Sequence, residues 1–192
     1  MMTNLANEGR MTVEEGEPQI LSKRLSEFVI AYISCPQDSG RNYLGGILLT
    51  DYRTRPLEFA FVSPVKVTTM QRIIHGKTLD ETVTVYIIAH RLLSEATKQP
   101  DIIFVDSDLL LELQRLTQIP VAKLSREQNS ASQATSLSPL KFSTLREGDK
   151  DSVVGSVMST LEAHADLMEP FARMTEAIRE AQKAVPPSQV KP

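Results

Sequence analysis

The chain has 192 residues, of which 41% are apolar and 23% charged, and its formal net charge is −3. This composition is ordinary for a globular protein with one substantial core. It gives no overall basic character of the kind that favours binding to nucleic acid or to an anionic membrane. The composition therefore excludes a membrane partner, and nucleic acid is not expected as a direct ligand.

The location of the protein is inferred from what the sequence does not contain. No apolar run approaches the roughly 20 residues that span a bilayer. The N-terminal segment has no apolar stretch and carries Glu14, Glu15 and Glu17, so a secretory signal is not expected. Because Cys35 is the only cysteine, an internal disulfide and a multi-cysteine zinc site are excluded. The expectation is a cytoplasmic protein without a cofactor.

The first part of the chain is predicted to be an arm followed by three strands. Residues 1–20 have no hydrophobic period and are predicted to be disordered. A short helical turn is possible at 21–27. The strands are separated by short polar loops and lie at residues 28–33, 43–50 and 57–62. Strands joined in this way form an antiparallel meander.

The segment after the meander is predicted to be helical. Residues 67–75 form a short helix that Gly76 closes at its C-terminal cap. Residues 79–97 are ambiguous, because β-branched residues alternate as in a strand at 83–87, while the apolar spacing beyond them is helical. A helix is favoured there, since it supplies the crossover that a following parallel strand requires.

The clearest signal in the sequence is the apolar run of residues 102–105, Ile-Ile-Phe-Val. These residues do not alternate in polarity, so the strand is predicted to be buried on both faces. The apolar period becomes helical directly afterwards, which predicts a helix over 107–116. Either Asp106 or Ser107 is expected to cap it. A buried strand that leads into a helix is the basic unit of an α/β layer.

The last third of the chain is predicted to be a helical tail on a linker. Residues 119–124 form a short strand, and Pro120 places that strand at a sheet edge. Residues 125–149 are predicted to be a linker, with one short strand as an option at 139–145. Helices follow over 150–185, and residues 186–192 are predicted to be disordered. One apolar stripe of the tail comprises Leu167, Phe171, Met174 and Ile178.

These elements predict an α/β fold over residues 21–124, with α+β as the alternative, in which βα units extend the meander into a mixed sheet. Their order resembles the core of the ribonuclease H-like superfamily. That resemblance implies two metal ions held by a carboxylate on the first strand, a Glu on the first helix and an Asp after the fourth strand. Asp106 matches the last position, and Glu81 is a candidate for the second. The first strand, FVIAYISC, has no carboxylate, and Asp38 in the following loop is the only acid that could replace it.

Asp106 and Asp108 are the main candidates for chemistry. They follow a buried strand, at the place where open α/β sheets bind ligands, and two carboxylates there could hold Mg²⁺. The competing interpretation is that one carboxylate caps the next helix and the other complements its dipole. The candidate catalytic residues are thus Asp106, Asp108 and Asp38, and the candidate metal ligands are Asp106 and Asp108.

Cys35 and the histidines are not expected to form a site. Cys35 would act as a nucleophile only with a histidine beside it, and nothing in the spacing brings one there. The three histidines are scattered without the spacing of zinc ligands. A buried and inert cysteine is the favoured interpretation.

The loop between the second and third strands carries Arg53 and Arg55, and Arg41 is expected nearby on the other turn. This local cationic cluster could contact phosphate or an acidic partner. The competing interpretation is a solvated hairpin tip. Arg53 and Arg55 are therefore candidate interaction residues, together with the apolar stripe of the tail.

That stripe must be buried somewhere: on its own domain, against the preceding helix, in a dimer or in a different protein. The main hypothesis is a non-catalytic protein-protein interaction or scaffold subunit of a larger bacterial assembly, associating through its C-terminal helices. The alternative is a divergent metal-dependent nuclease or phosphohydrolase that uses Asp106 and Asp108. A third option is a small-ligand sensor that binds at the carboxyl end of the sheet.

Overall fold

A computed structural model of the chain describes residues 23–126, 140–145 and 153–184. Six strands in these residues form one mixed sheet in the order β3-β2-β1-β4-β5-β6. Strand β1 is antiparallel to β2 and parallel to β4, whereas β5 is parallel to β4 and antiparallel to β6. The strands are β1 Ile30–Ser34, β2 Tyr43–Thr50, β3 Pro56–Val65, β4 Ile102–Val105, β5 Val121–Arg126 and β6 Leu140–Ser143. The predicted mixed α/β fold is confirmed.

Helical segments connect and cover the strands. A 3₁₀ turn, Leu25–Glu27, precedes β1. The connection from β3 to β4 contains α1 Thr69–His75, the 3₁₀ turn Gly76–Thr78, α2 Leu79–Glu81, a π-helical segment Thr82–Ala89 and α3 His90–Glu95. A 3₁₀ helix, Leu109–Arg115, links β4 to β5, and the C-terminal helices are α4 Val153–Glu162 and α5 Glu169–Ala184.

Alternation along the central strands divides the core between the two faces of the sheet. Ile30 and Tyr32 of β1 pack on the side of α4 and α5. Ala31 and Ile33 pack on the side of the π-helical segment and the 3₁₀ helix. All four residues of β4 are buried, as the non-alternating run predicts. The sheet is therefore a middle layer between two helical layers.

The connection at 79–95 is helical, as favoured from the sequence, but its middle is a π-helix. Its β-branched residues lie where the sequence pattern is ambiguous between helix and strand. The helix after β4 is of the tighter 3₁₀ type and begins at Leu109. Gly76 ends α1 with φ +52°, a conformation that a residue without a Cβ adopts at little cost. This part of the chain thus follows the predicted order of elements with different helix types.

The prediction that Pro120 places its strand at an edge is wrong. β5 starts one residue later, at Val121, and pairs with β4 on one side and β6 on the other. Pro120 itself contributes only its carbonyl oxygen, which accepts from the backbone N–H of Ile103 at 2.9 Å. Its missing N–H is therefore not required by the sheet.

The apolar stripe of the tail is buried against the chain's own sheet. Leu167, Phe171, Met174 and Ile178 are each at most 6% exposed. Near the end of α5, Ile178 packs over Gly46 of β2, where a Cβ would lie 2.8 Å from its Cδ1 atom. Of the four arrangements left open by the sequence, folding back is the one observed here.

Several predictions lie outside the described residues. These are the arm at 1–20, most of the linker at 125–149 and the segment 186–192. The optional strand in the linker is present as β6. None of the helices in the described ranges combines the length and the apolar character that crossing a membrane would need.

Candidate functional site

The candidate site lies at the end of the sheet where β1 and β4 stop. These strands are parallel, with Ile33 beside Val105, so the next residues, Ser34 and Asp106, are neighbours. The Ser34 hydroxyl donates a hydrogen bond to Asp106 Oδ2 at 2.5 Å. Ser34 is buried, whereas Asp106 retains an exposed surface. The pair thus joins a buried hydroxyl to a carboxyl that solvent and a ligand can reach.

The surrounding protein changes the acidity of this carboxyl. Desolvation raises the pKa of Asp106 above its ordinary value, and the hydrogen bond from Ser34 acts in the opposite direction. The Asp106 carboxyl therefore takes up a proton at a higher pH than an ordinary aspartate does.

The Asp108 side chain forms an ion pair and does not cap the following helix. Its Oδ2 atom lies 2.7 Å from Lys123 Nζ of β5, and its side chain makes no cap hydrogen bond to the 3₁₀ helix. Asp106 faces Ser34 instead. Both the capping interpretation and the interpretation that Asp106 and Asp108 share one ligand are therefore unsupported by the geometry of their contacts.

The other predicted acids have local partners of their own. Asp38 accepts from both the backbone N–H and the side chain of Asn42, which shapes the β1–β2 turn, and the Asn42 side chain is the main cause of a lowered pKa of Asp38. Asp80, beside Glu81 on α2, accepts a short hydrogen bond from the Tyr43 hydroxyl. These acids lie at the same end of the sheet as Asp106, but they serve turns and helix packing.

A two-metal centre does not fit these side chains. In residues 23–126, 140–145 and 153–184, no three His, Cys, Asp or Glu side chains are grouped so that they could hold a metal ion. The first-strand carboxylate that the ribonuclease H-like resemblance implies is replaced at the end of β1 by Ser34. A hydroxyl that donates a hydrogen bond to Asp106 adds no negative charge for a cation.

Cationic side chains flank the same end of the sheet. Arg72 of α1 donates through Nη2 to the backbone carbonyl oxygen of Arg41 in the β1–β2 turn, at 3.2 Å. Lys66, directly after β3, is close enough to contribute to the lowered pKa of Asp38. We call Arg41, Lys66 and Arg72 the cationic cluster. Each lies beyond a strand end that the sheet register places next to the end of β1.

The arginines predicted to form a cluster lie elsewhere. Arg53 and Arg55 are exposed in the β2–β3 turn, and their backbone N–H groups donate to Asp51 Oδ1. The eight-residue strand β2 separates this turn from the one that holds Arg41. The expectation that Arg41 lies near them is therefore wrong, because an antiparallel meander places successive turns at opposite ends of the sheet.

Helix α1 exposes an unusual amount of apolar surface beside the cationic cluster. Met70 is 65% exposed, and Ile73 and Ile74 are each 72% exposed. The Thr68 hydroxyl and the Gln71 side chain form a reciprocal capping box, which holds this seven-residue helix in place without burial of its apolar side chains.

The surroundings of Cys35 disfavour its thiolate form. Its Sγ atom lies 3.9 Å from the Thr84 carbonyl oxygen, and burial, followed by the Asp106 charge, raises the thiol pKa. We expect the native thiol to react with Ellman's reagent at neutral pH at least about tenfold more slowly than the thiol of the denatured chain, because little thiolate forms. Equal rates in the native and denatured proteins would contradict this assignment.

No protein-family profile and no curated protein matches this sequence. Among solved structures, the fold is similar to that of human ENDOV, with a TM-score of 0.62 and 12% identity over 90% of this chain and 92% of that chain. Two others among the solved structures that match have lower TM-scores. One is endonuclease V of Ciona intestinalis in complex with inosine-containing DNA, at 0.38, with 8% identity over 52% of this chain and 46% of that chain. The other is Marinitoga piezophila Argonaute in complex with guide RNA and target DNA, at 0.34, with 9% identity over 70% and 25%.

These findings correct the functional interpretation. The main hypothesis, a non-catalytic interaction or scaffold subunit associating through its C-terminal helices, is contradicted, because the comparisons favour the nuclease alternative and α5 is buried on the sheet. The similarity of the fold to that of human ENDOV also contradicts the expectation that nucleic acid is not a direct ligand. That expectation rested on the overall charge, which averages over local clusters.

Sequence reasoning missed Ser34 and the cationic cluster. Ser34 could be recognised only from the parallel pairing of β1 and β4, which was not predicted and which brings the residues after these strands together. The cluster could have been found by asking which turns of the meander share one end of the sheet. Arg41, Lys66 and Arg72 satisfy that condition, and Arg53 and Arg55 do not.

Proposed function

We propose that this chain binds nucleic acid as a divergent member of the nuclease class, at the end of the sheet where β1 and β4 stop. The observation that carries the proposal is the likeness of fold to human ENDOV over most of both chains. The local features at that end of the sheet support it further. Asp106 is the exposed carboxyl at its centre.

The cationic cluster supplies the attraction for a phosphate backbone. Arg41 is exposed, as is Lys66, and the hydrogen bond from Arg72 fixes α1 to the turn that carries Arg41. Phosphate contacts of this kind dominate the affinity for nucleic acid and position it on the protein. Because Asp38 and Asp80 lie among these cations and the whole chain carries −3, the binding is expected to be moderate and sensitive to salt.

The apolar surface of α1 suits the bases of the same ligand. Met70, Ile73 and Ile74 are exposed next to Arg72, so a backbone held by the cluster would bring bases to them. Apolar side chains that contact or separate bases commonly accompany Arg and Lys contacts to the backbone. This combination favours nucleic acid over a small anion as the ligand.

The test compares two sets of arginine and lysine replacements at opposite ends of the sheet. We expect R41Q/K66Q/R72Q to weaken binding of a fluorescent single-stranded oligonucleotide about tenfold or more. The slope of log Kd against log salt should also fall by about one unit for each phosphate that is no longer neutralised. The matched control is R53Q/R55Q, which removes exposed arginines from the distant turn. Fluorescence anisotropy with DNA and RNA probes over a salt series measures both quantities.

The control separates a local site from general charge attraction. R53Q/R55Q should change Kd less than about twofold, since its charges lie beyond a Debye length from the cluster at physiological salt. Equal reductions of affinity in both variants, or no binding by the wild type to any single-stranded or duplex probe, would refute the proposed function.

A further inference from the structure

The order of elements implies a metal site, but the side chains present at that place do not supply its ligands. The resemblance to the ribonuclease H-like superfamily implies a carboxylate on the first strand next to one after the fourth. The parallel register of β1 and β4 makes the residues after Ile33 and Val105 the neighbours at that place. They are Ser34 and Asp106, joined by a hydrogen bond of 2.5 Å. One of the two charges is therefore absent from this pair.

The remaining acids at this end of the sheet do not compensate for that absence. Asp108 pairs with Lys123 at 2.7 Å. Asp80 accepts from Tyr43, and Asp38 accepts twice from Asn42. Magnesium and manganese require several oxygen ligands, with carboxylates supplying most of the charge, and a lone carboxylate on a protein surface binds them weakly. At the junction of β1 and β4 the described side chains thus provide one carboxylate, that of Asp106, and Glu81 of α2 joins no group of three possible ligands in the described residues.

We infer that the hydrogen-bonded pair Ser34–Asp106 stands in place of a metal centre, so that this chain binds nucleic acid without metal-assisted cleavage and Ser34→Asp would create a divalent-cation site. The statement about nucleic acid rests on the proposed function. The statement about the cation does not, because it concerns only the ligands that β1 and β4 bring together.

The experiment measures cation binding directly. Isothermal titration calorimetry with Mn²⁺ alone is carried out on the wild-type chain, D106N, S34D and the double variant S34D/D106N. The wild type and D106N should give the same weak, non-saturating heats. S34D should bind Mn²⁺ at least about tenfold more tightly than the wild type, and the double variant should lose that gain. S94D adds the same charge at an exposed position of α3 and should bind like the wild type.

Each result decides for or against the inference. Saturable Mn²⁺ binding by the wild type that disappears in D106N would overturn it, and so would a folded S34D that binds no better than S94D. If S34D does not fold, the comparison of the wild type with D106N decides alone. Nucleic-acid binding is scored separately: Mn²⁺-dependent cleavage by the wild type would overturn this inference and leave the proposed function standing, whereas no binding would refute the proposed function and leave the cation result intact.

Discussion

Replacement of Phe171 with alanine should lower the free energy of unfolding by about 3–5 kcal/mol, the range for removal of a large buried aromatic side chain. Phe171 is 6% exposed and packs edge-on against Tyr32 of β1, with ring centroids 5.2 Å apart. The change would leave a cavity between α5 and the centre of the sheet. Denaturant unfolding followed by circular dichroism measures the decrease in stability.

The matched control for this change is Glu176→Ala, because Glu176 is exposed on the same helix. Its effect should stay within about 0.5 kcal/mol, as for most surface substitutions. If F171A and E176A unfold at the same denaturant concentration, α5 does not pack on the sheet in solution. That outcome would reopen the question of where the apolar stripe is buried.

A methyl group at Gly45 should cost about 1–3 kcal/mol, the usual penalty for an overpacked core. The Cβ atom of an alanine there would lie 2.2 Å from Ile88 Cγ2 and 3.3 Å from Cys35 Sγ. Ile88 is fully buried in the π-helical segment, and its branched side chain has few alternative rotamers. The strand and the helix would have to move apart, which thermal and denaturant unfolding of G45A would detect.

The neighbouring glycine provides the comparison. In G46A the new atom meets Ile178 Cδ1 at 2.8 Å, the far end of a side chain that can rotate, so the destabilisation should be smaller than in G45A. The double variant G45A/I88A should be destabilised by less than the sum of the G45A and I88A effects, because truncation of Ile88 removes the clash. Fully additive penalties would show that Gly45 is required for some reason other than its contact with Ile88.

The central part of the fold could be predicted because its residues allow one arrangement. The run at 102–105 has no polar position, so it fits only a strand covered on both faces. The polar loops of the meander likewise restrict its strands to antiparallel neighbours. The helix types were less predictable, since β-branched residues at 82–89 reduce the preference for an α-helix and packing against the sheet decided the outcome.

The position of the tail and the composition of the site could not be predicted in the same way. The apolar stripe on α5 could pack against any apolar surface. It packs within the chain because β1 and β2 offer such a surface on one face of the sheet. The site depends on the pairing of strands that are distant in sequence, because the hydrogen-bond partner of Ser34 is Asp106, 72 positions later. A search for acidic residues along the sequence does not show that the end of β1 places a hydroxyl, rather than a carboxylate, beside Asp106.

The late position of α4 and α5 in the chain has a consequence for biosynthesis. All six strands of the described sheet are translated before these helices, and the face of the sheet that carries Tyr32 and Phe104 is closed by them. A nascent chain therefore presents that face to the ribosome surface and to chaperones until α5 has left the exit tunnel.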